Sequence, residues 1–158
     1  MSHPSSDGEV SAILRPVDAI EPLQVGTTMA RFVATGSVTN GHFGLFRWDM
    51  SAQAGGATPH YHRGFTESFY VLSGAVRLFD GAAWVPATAG DFLFVPERGV
   101  HGFRYESGEP ASLLILFTPG APRETYFREL AEIRASGRTL SDDEWADLYA
   151  RHDQVMVE

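Results

Sequence analysis

The sequence predicts an all-β domain, a sandwich or small barrel, followed by two short helices at its C-terminal end. Between residues 28 and 118, short segments rich in Val, Leu, Phe and Tyr alternate with turn signals such as Asn40-Gly41 and Asp80-Gly81. No helical periodicity interrupts them, a pattern typical of antiparallel sheets that pack face to face or close into a barrel. Beyond residue 121 the apolar spacing becomes helical.

The predicted strands follow one another closely along the chain. The Asp80-Gly81 pair indicates a hairpin turn between two of them. They cover residues 28–35, 42–50, 67–74, 75–80, 83–87, 91–96, 101–106 and 112–118.

The C-terminal part predicts two helices that pack on the outside of the barrel. Pro122 begins the first, whose apolar residues keep helical spacing up to Ile133, and Gly137 is a plausible C-cap. Ser141 and Glu144 form a capping box at the start of the second. We therefore divide the chain into a flexible N-terminal tail (1–11), a β-barrel (12–120) and a helical extension (121–158).

Composition narrows the functional classes. A formal net charge of −8 among 158 residues argues against nucleic acid and anionic membranes as partners. The chain has no cysteine, which excludes disulfides, thiolate nucleophiles and thiolate metal sites. Neither a signal peptide nor a long apolar run is evident, so we expect a cytoplasmic protein.

Three histidines and one glutamate are the strongest functional signal. His60 and His62 share one face of an extended segment because they are two residues apart. Glu67 has the wrong parity for the same strand, but a bend at Arg63-Gly64 can restore it. With His101 after the next Pro/Gly turn, three strand starts present four ligands for a divalent transition metal.

The spacing of these residues resembles the two sequence motifs of the cupin superfamily. The first motif runs from Gly55 through the HxH pair and Glu67 to Gly74; the second comprises Gly90, Pro96 and His101. The resemblance covers about residues 42–118. It implies a double-stranded β-helix, or jelly-roll barrel, of two antiparallel sheets that holds one metal ion (Fe, Mn, Ni, Co, Cu or Zn), and it favours a homodimer. Three positions depart from the pattern without removing a ligand: Ala54, Arg98 and Tyr105.

The alternation of side chains along the strands also predicts which residues line a pocket beside the metal ligands. Aromatic side chains two and four residues from the ligands, and an alternating pair on the strand 42–50, should face inward. The predicted substrate-binding residues are Phe46, Trp48, Phe69, Phe103 and Tyr105. They would either surround a flat, apolar ligand or simply fill the barrel, since small barrels are usually packed inside.

The segments ExFYVLxG, GDFLFVP and HGFR make the chain similar to small, single-domain quercetin 2,3-dioxygenase-like cupins, in which aromatic residues follow the Glu and the last His by two, as Phe69 and Phe103 do here. The resemblance implies a metal-dependent dioxygenase acting on a small aromatic or enol-type substrate, with Glu67 and Tyr105 as catalytic residues. Two alternatives stay open: a non-redox isomerase, cyclase or lyase, and a small-molecule-binding protein without catalysis.

Overall fold

The computed structural model describes residues 7–53, 55–105 and 108–157. Within them the chain forms eleven β-strands and two α-helices, with short 3-10 helices at Val17–Ala19 and Gly36–Val38. The elements in chain order are β1 (Pro22–Val25), β2 (Thr28–Ala34), β3 (Gly44–Met50), β4 (Gly55–Tyr61), β5 (Thr66–Ser73), β6 (Ala75–Phe79), β7 (Trp84–Thr88), β8 (Phe92–Val95), β9 (His101–Tyr105), β10 (Ala111–Thr118), α1 (Arg123–Ser136), α2 (Asp142–Arg151) and β11 (Val155–Met156).

Two antiparallel sheets face each other across the core, which confirms the predicted fold class. One has six strands in the order β1-β2-β3-β10-β5-β8, and the other has five in the order β11-β4-β9-β6-β7. Burial alternates along the central strands, as expected when one sheet face is packed and the other solvated. Phe46, Trp48, Phe69, Phe103 and Tyr105, which the alternation predicts to face inward, are all buried.

Strands β1 and β11 are absent from the sequence prediction, and of β4 only the extended segment with the HxH pair was predicted. The first part of β4 was missed because Gly55, Gly56 and Pro59 all disfavour strands. The two glycines have a structural reason: a Cβ at Gly55 would collide with the hydroxyl of Tyr105, and one at Gly56 would collide with the main chain of β9. β11 has only two residues, too few for an alternating pattern.

Both C-terminal helices are confirmed. Gly137 ends α1 with a φ of 70°, and Ser141 and Glu144 cap α2 reciprocally. The first helix also contributes to the core, because the Phe127 ring lies 4.8 Å from the Trp48 ring and 5.3 Å from the Phe46 ring, centre to centre. α1 thus packs against the six-stranded sheet.

Some sequence predictions fall partly on residues that the structure does not describe. Residues 7–11 are exposed and lack regular structure, whereas residues 1–6 of the predicted tail lie outside the described residues, as do Ala54 and the last residue of the predicted strand 101–106. Tyr70, Phe92 and Phe94 form an exposed aromatic patch on β5 and β8. The homodimer stays a prediction.

Candidate metal centre

The four predicted ligands converge between the two sheets. One ligand atom from each of His60, His62, Glu67 and His101 lies within 4.8 Å of all the others, and all four residues are buried. His60 is the penultimate residue of β4, and His62 follows that strand. Glu67 is the second residue of β5, and His101 begins β9 opposite His60. The prediction of three strand starts is therefore corrected to one strand end and two strand starts.

Each histidine is held through its Nδ1 by a main-chain carbonyl. His60 donates to Thr58 O at 2.7 Å, His62 to Asp153 O at 2.6 Å and His101 to Gly99 O at 2.9 Å. A carbonyl only accepts hydrogen bonds, so these contacts assign the proton to Nδ1 in all three rings. The Nε2 atoms are left as the metal-binding atoms, with the ring orientations fixed in advance.

The carboxylate of Glu67 completes the cluster. Its Oε2 lies 2.6 Å from His101 Nε2 and 3.1 Å from His62 Nε2. Two such electron-rich atoms approach this closely only when a positive charge, a proton or a metal ion, lies between them. Three imidazole nitrogens and one carboxylate oxygen fit a divalent first-row transition metal, and these residues are a candidate site for one.

The electrostatics of the cluster agree with that donor set. Burial, helped by the neighbouring His101, lowers the pKa of His60 to about 3. Burial raises the pKa of Glu67, but His101 and His62 outweigh it and hold that pKa well below its usual range. For His101, burial lowers the pKa and the facing carboxylate outweighs burial, so the pKa is raised. A charged Glu67 and a neutral His60 are the forms that bind metal, while a proton competes for His101.

Asp153, a residue the sequence did not single out, supports the site from the C-terminal segment. Its main-chain oxygen accepts from His62, and its carboxylate accepts from the main-chain N–H groups of Arg63 and Gly64 at 2.7–3.1 Å. The predicted bend at Arg63-Gly64 is confirmed, and Asp153 holds it. β11 then pairs with His60 and Tyr61. The C-terminal residues therefore fix both members of the HxH pair.

A cavity of about 340 Å³ opens beside the cluster, with His60 and Glu67 in its lining. This volume lies at the lower end of the range for small-molecule sites. Of the predicted pocket residues, Trp48, Phe103 and Tyr105 line the cavity. Phe46 and Phe69 are fully buried behind that lining, where they fill the core.

Tyr105 lies at the far end of the cavity from His101. The two residues are four apart on β9, about 13 Å along an extended strand. The Tyr105 hydroxyl lies 3.0 Å from Thr28 Oγ1 and 3.3 Å from Thr27 Oγ1. This position suits contact with the part of a ligand that is remote from the metal ligands, and a catalytic role for Tyr105 stays a prediction.

The cupin domain model matches residues 46–117, the range that contains all four ligands. These residues form a cupin domain. It is 30% identical over 126 residues to the quercetin 2,3-dioxygenase of Bacillus subtilis (strain 168). That alignment covers 80% of this cupin and 36% of the relative, so the chain spans about a third of the relative's length.

Solved structures confirm the cupin fold. An RmlC-like cupin from Shewanella frigidimarina NCIMB 400 superposes with a TM-score of 0.61 at 19% identity, over 72% of this chain and 96% of that one. The polyketide cyclase RemF from Streptomyces resistomycificus gives 0.58 at 22% identity, over 70% and 82% of the two chains. Identities this low show the fold alone. Among the described residues, no helix is long and apolar enough to cross a membrane.

Proposed function

We propose that this cupin is a metal-dependent dioxygenase that acts on a small aromatic or enol-type molecule in the cavity. The observation that carries the proposal is the histidine geometry: three rings oriented by main-chain carbonyls direct their Nε2 atoms toward Glu67 beside a cavity of about 340 Å³. The likeness to a quercetin 2,3-dioxygenase supports the substrate class.

The chain's own residues supply positioning and proton transfer. A divalent transition metal held by His60, His62, Glu67 and His101 would supply Lewis acidity and, if redox-active, oxygen chemistry. Glu67 also lines the cavity, where its carboxylate can accept the proton of a substrate hydroxyl. Trp48 and Phe103 give the walls an apolar surface that excludes water and suits a flat ring.

Oxygen consumption tests the proposal directly. Protein purified with its native metal is given quercetin and a small panel of enols and catechols, with and without O₂. We expect O₂ uptake in step with product, lost in His101→Ala and retained in His42→Ala, which removes an exposed histidine outside the cluster. Product that forms equally well under nitrogen would overturn the dioxygenase proposal.

A second candidate is a non-redox isomerase, cyclase or lyase. Arg123 places a permanent positive charge in the cavity wall, an arrangement that stabilises an enolate formed by proton abstraction without oxygen. The structural similarity to a polyketide cyclase agrees with this candidate through the fold only. Full activity under nitrogen would favour it. Saturable ligand binding without product would instead indicate a binding protein without catalysis.

A further inference from the structure

Arg123 is a buried cation in the wall of the cavity. It is the first residue of α1, is 4% exposed and belongs to the cavity lining. Four aromatic rings surround its guanidinium carbon: the ring centres of Tyr126, Phe65, Phe117 and Phe127 lie 4.5, 5.3, 5.6 and 5.7 Å away. Phe65 in turn stacks on the ligand His62 at 4.4 Å. The Phe65 ring therefore contacts both Arg123 and the metal ligand His62.

The guanidinium is only partly satisfied. Nη1 donates to His152 O at 2.7 Å, and Nη2 donates to Gln154 Oε1 at 3.2 Å. Both bonds tether α1 to the segment that carries Asp153. The Nε atom is buried and has no hydrogen-bond partner, and no carboxylate lies within ion-pair distance of Arg123 in the described part of the chain. Burial lowers the pKa of Arg123 and outweighs the more distant carboxylates of Glu67 and Asp153, which raise it. A buried charge that is only partly compensated costs stability, so a tether alone does not account for an arginine here.

The cavity as a whole is electropositive, although the chain is acidic. Among the residues that the structure describes, its lining contains two cations, Arg123 and the exposed Arg134, and one carboxylate, Glu67. The net charge of the chain is −8. Glu67 is already engaged by His62 and His101, and a divalent ion at those ligands would add positive charge. Glu67 and Asp153 compensate Arg123 only in part, so an anionic ligand in the cavity would supply the further counter-charge.

We infer that the cavity binds an organic anion, and that Arg123 binds the ligand's carboxylate or an equivalent oxyanion. The inference rests on the proposed function only in taking the cavity as the substrate site. The ligand is a small, flat acid: its anionic group accepts from the guanidinium, and its ring lies against Phe103 and Trp48. Arg123 then both tethers the C-terminal segment and selects the substrate.

A matched pair of probes tests the inference without turnover. Isothermal titration calorimetry under nitrogen compares 3,4-dihydroxybenzoate with 4-methylcatechol, which differ by a carboxylate in place of a methyl group. Wild-type protein with its native metal should bind the acid about tenfold more tightly or better, as expected for a desolvated charged hydrogen bond. A preference below about threefold, or no measurable binding of the acid, overturns the inference.

Variants assign the preference to Arg123. Arg123→Gln should bind the two probes about equally, while affinity for 4-methylcatechol stays within about twofold of wild type. Arg128→Gln is the matched control, since Arg128 is exposed on the same helix and outside the lining; it should keep the full preference. Equal losses in both variants, or an undiminished preference in Arg123→Gln, would show that Arg123 is not the binding residue.

A spectroscopic measurement on the unmodified chain covers the case in which Arg123→Gln fails to fold. The buried Nε–H of Arg123 should shift in ¹⁵N–¹H spectra when 3,4-dihydroxybenzoate is added and should stay in place with 4-methylcatechol. An unmoved resonance at saturation overturns the inference. Failure of the dioxygenase proposal is distinguishable, because it removes O₂ uptake and leaves the probe preference and this shift intact.

Discussion

The Nδ1 atom of His62 lies 2.6 Å from the main-chain oxygen of Asp153, which ties a metal ligand to a residue 91 positions further along the chain. The Asp153 carboxylate fixes the bend after His62 at the same time. One residue near the C-terminus therefore sets both the tautomer and the orientation of the ring. Ligands oriented in this way bind metal more tightly than free side chains do.

Loss of the Asp153 carboxylate should weaken metal binding. In Asp153→Ala the bend at Arg63-Gly64 loses its acceptor, and we expect about a tenfold lower affinity, at the low end of the effect of such supporting residues. Asp153→Asn is the matched control, because asparagine keeps one acceptor oxygen and tolerates the φ of 52° at this position. Competition with a fluorescent chelator measures both; an affinity unchanged in Asp153→Ala would contradict the supporting role.

Removal of the metal should lower the melting temperature. A ligand that binds only the folded chain, at a free concentration a hundred times its Kd, adds about 2.7 kcal/mol to the free energy of unfolding. For a chain of this length that corresponds to about 5–10 °C. Melting curves with EDTA, and then with Zn²⁺ or Mg²⁺ restored, measure the change. Zn²⁺ should restore the melting temperature, whereas Mg²⁺, which prefers oxygen ligands, should not. Identical melting curves under all conditions would show that metal binding does not stabilise the folded chain.

Tyr105→Phe should change ligand binding and leave metal binding intact. The substitution removes hydrogen bonds to Thr27 and Thr28 and a hydroxyl from the far end of the cavity. We expect a loss of stability of about 1 kcal/mol, unchanged metal stoichiometry and a higher KM with kcat little altered. A fall in kcat of two orders of magnitude or more with KM unchanged would instead support the catalytic role predicted from the sequence.

The capping box of α2 contributes to the free energy of unfolding. Ser141 Oγ accepts from Glu144 N at 3.2 Å, and the Glu144 side chain accepts in return from Ser141 N at 3.2 Å. Ser141→Ala should lower the free energy of unfolding by about 1 kcal/mol, measured by urea denaturation. Ser11→Ala, in the exposed N-terminal segment, serves as the control and should have no effect. Equal stability of both variants would show that the box contributes nothing.

The metal ligands were predictable from the sequence because local rules determine them. The two-residue spacing of His60 and His62 places them on one face of the strand. Gly64 indicates a bend, which lets Glu67 point to the same side as the two histidines. The capped helices were predictable for the same reason. Turn and cap chemistry depends on residues only a few positions apart.

Asp153 and Arg123 were not predictable as supporting residues. They lie far along the sequence from the metal ligands, and their residue types do not by themselves indicate a supporting role. Asp153 supplies a main-chain oxygen to His62, which any residue type could do. Arg123 begins a helix in the sequence, where an arginine is ordinary; only its burial among aromatic rings distinguishes it. Phe46 and Phe69 share the inward parity of true lining residues, and only three-dimensional packing separates the core from the cavity wall.

The metal content of the purified protein shows whether His60, His62, Glu67 and His101 hold one divalent transition metal. Inductively coupled plasma mass spectrometry is applied to natively purified wild type, His60→Ala, His101→Ala and the exposed-site control His42→Ala. We predict about one transition-metal ion per chain in wild type and in His42→Ala, and well under a tenth of that in the two ligand variants. Wild type without bound metal, or ligand variants that keep about one metal ion per chain, would contradict this assignment of the metal ligands.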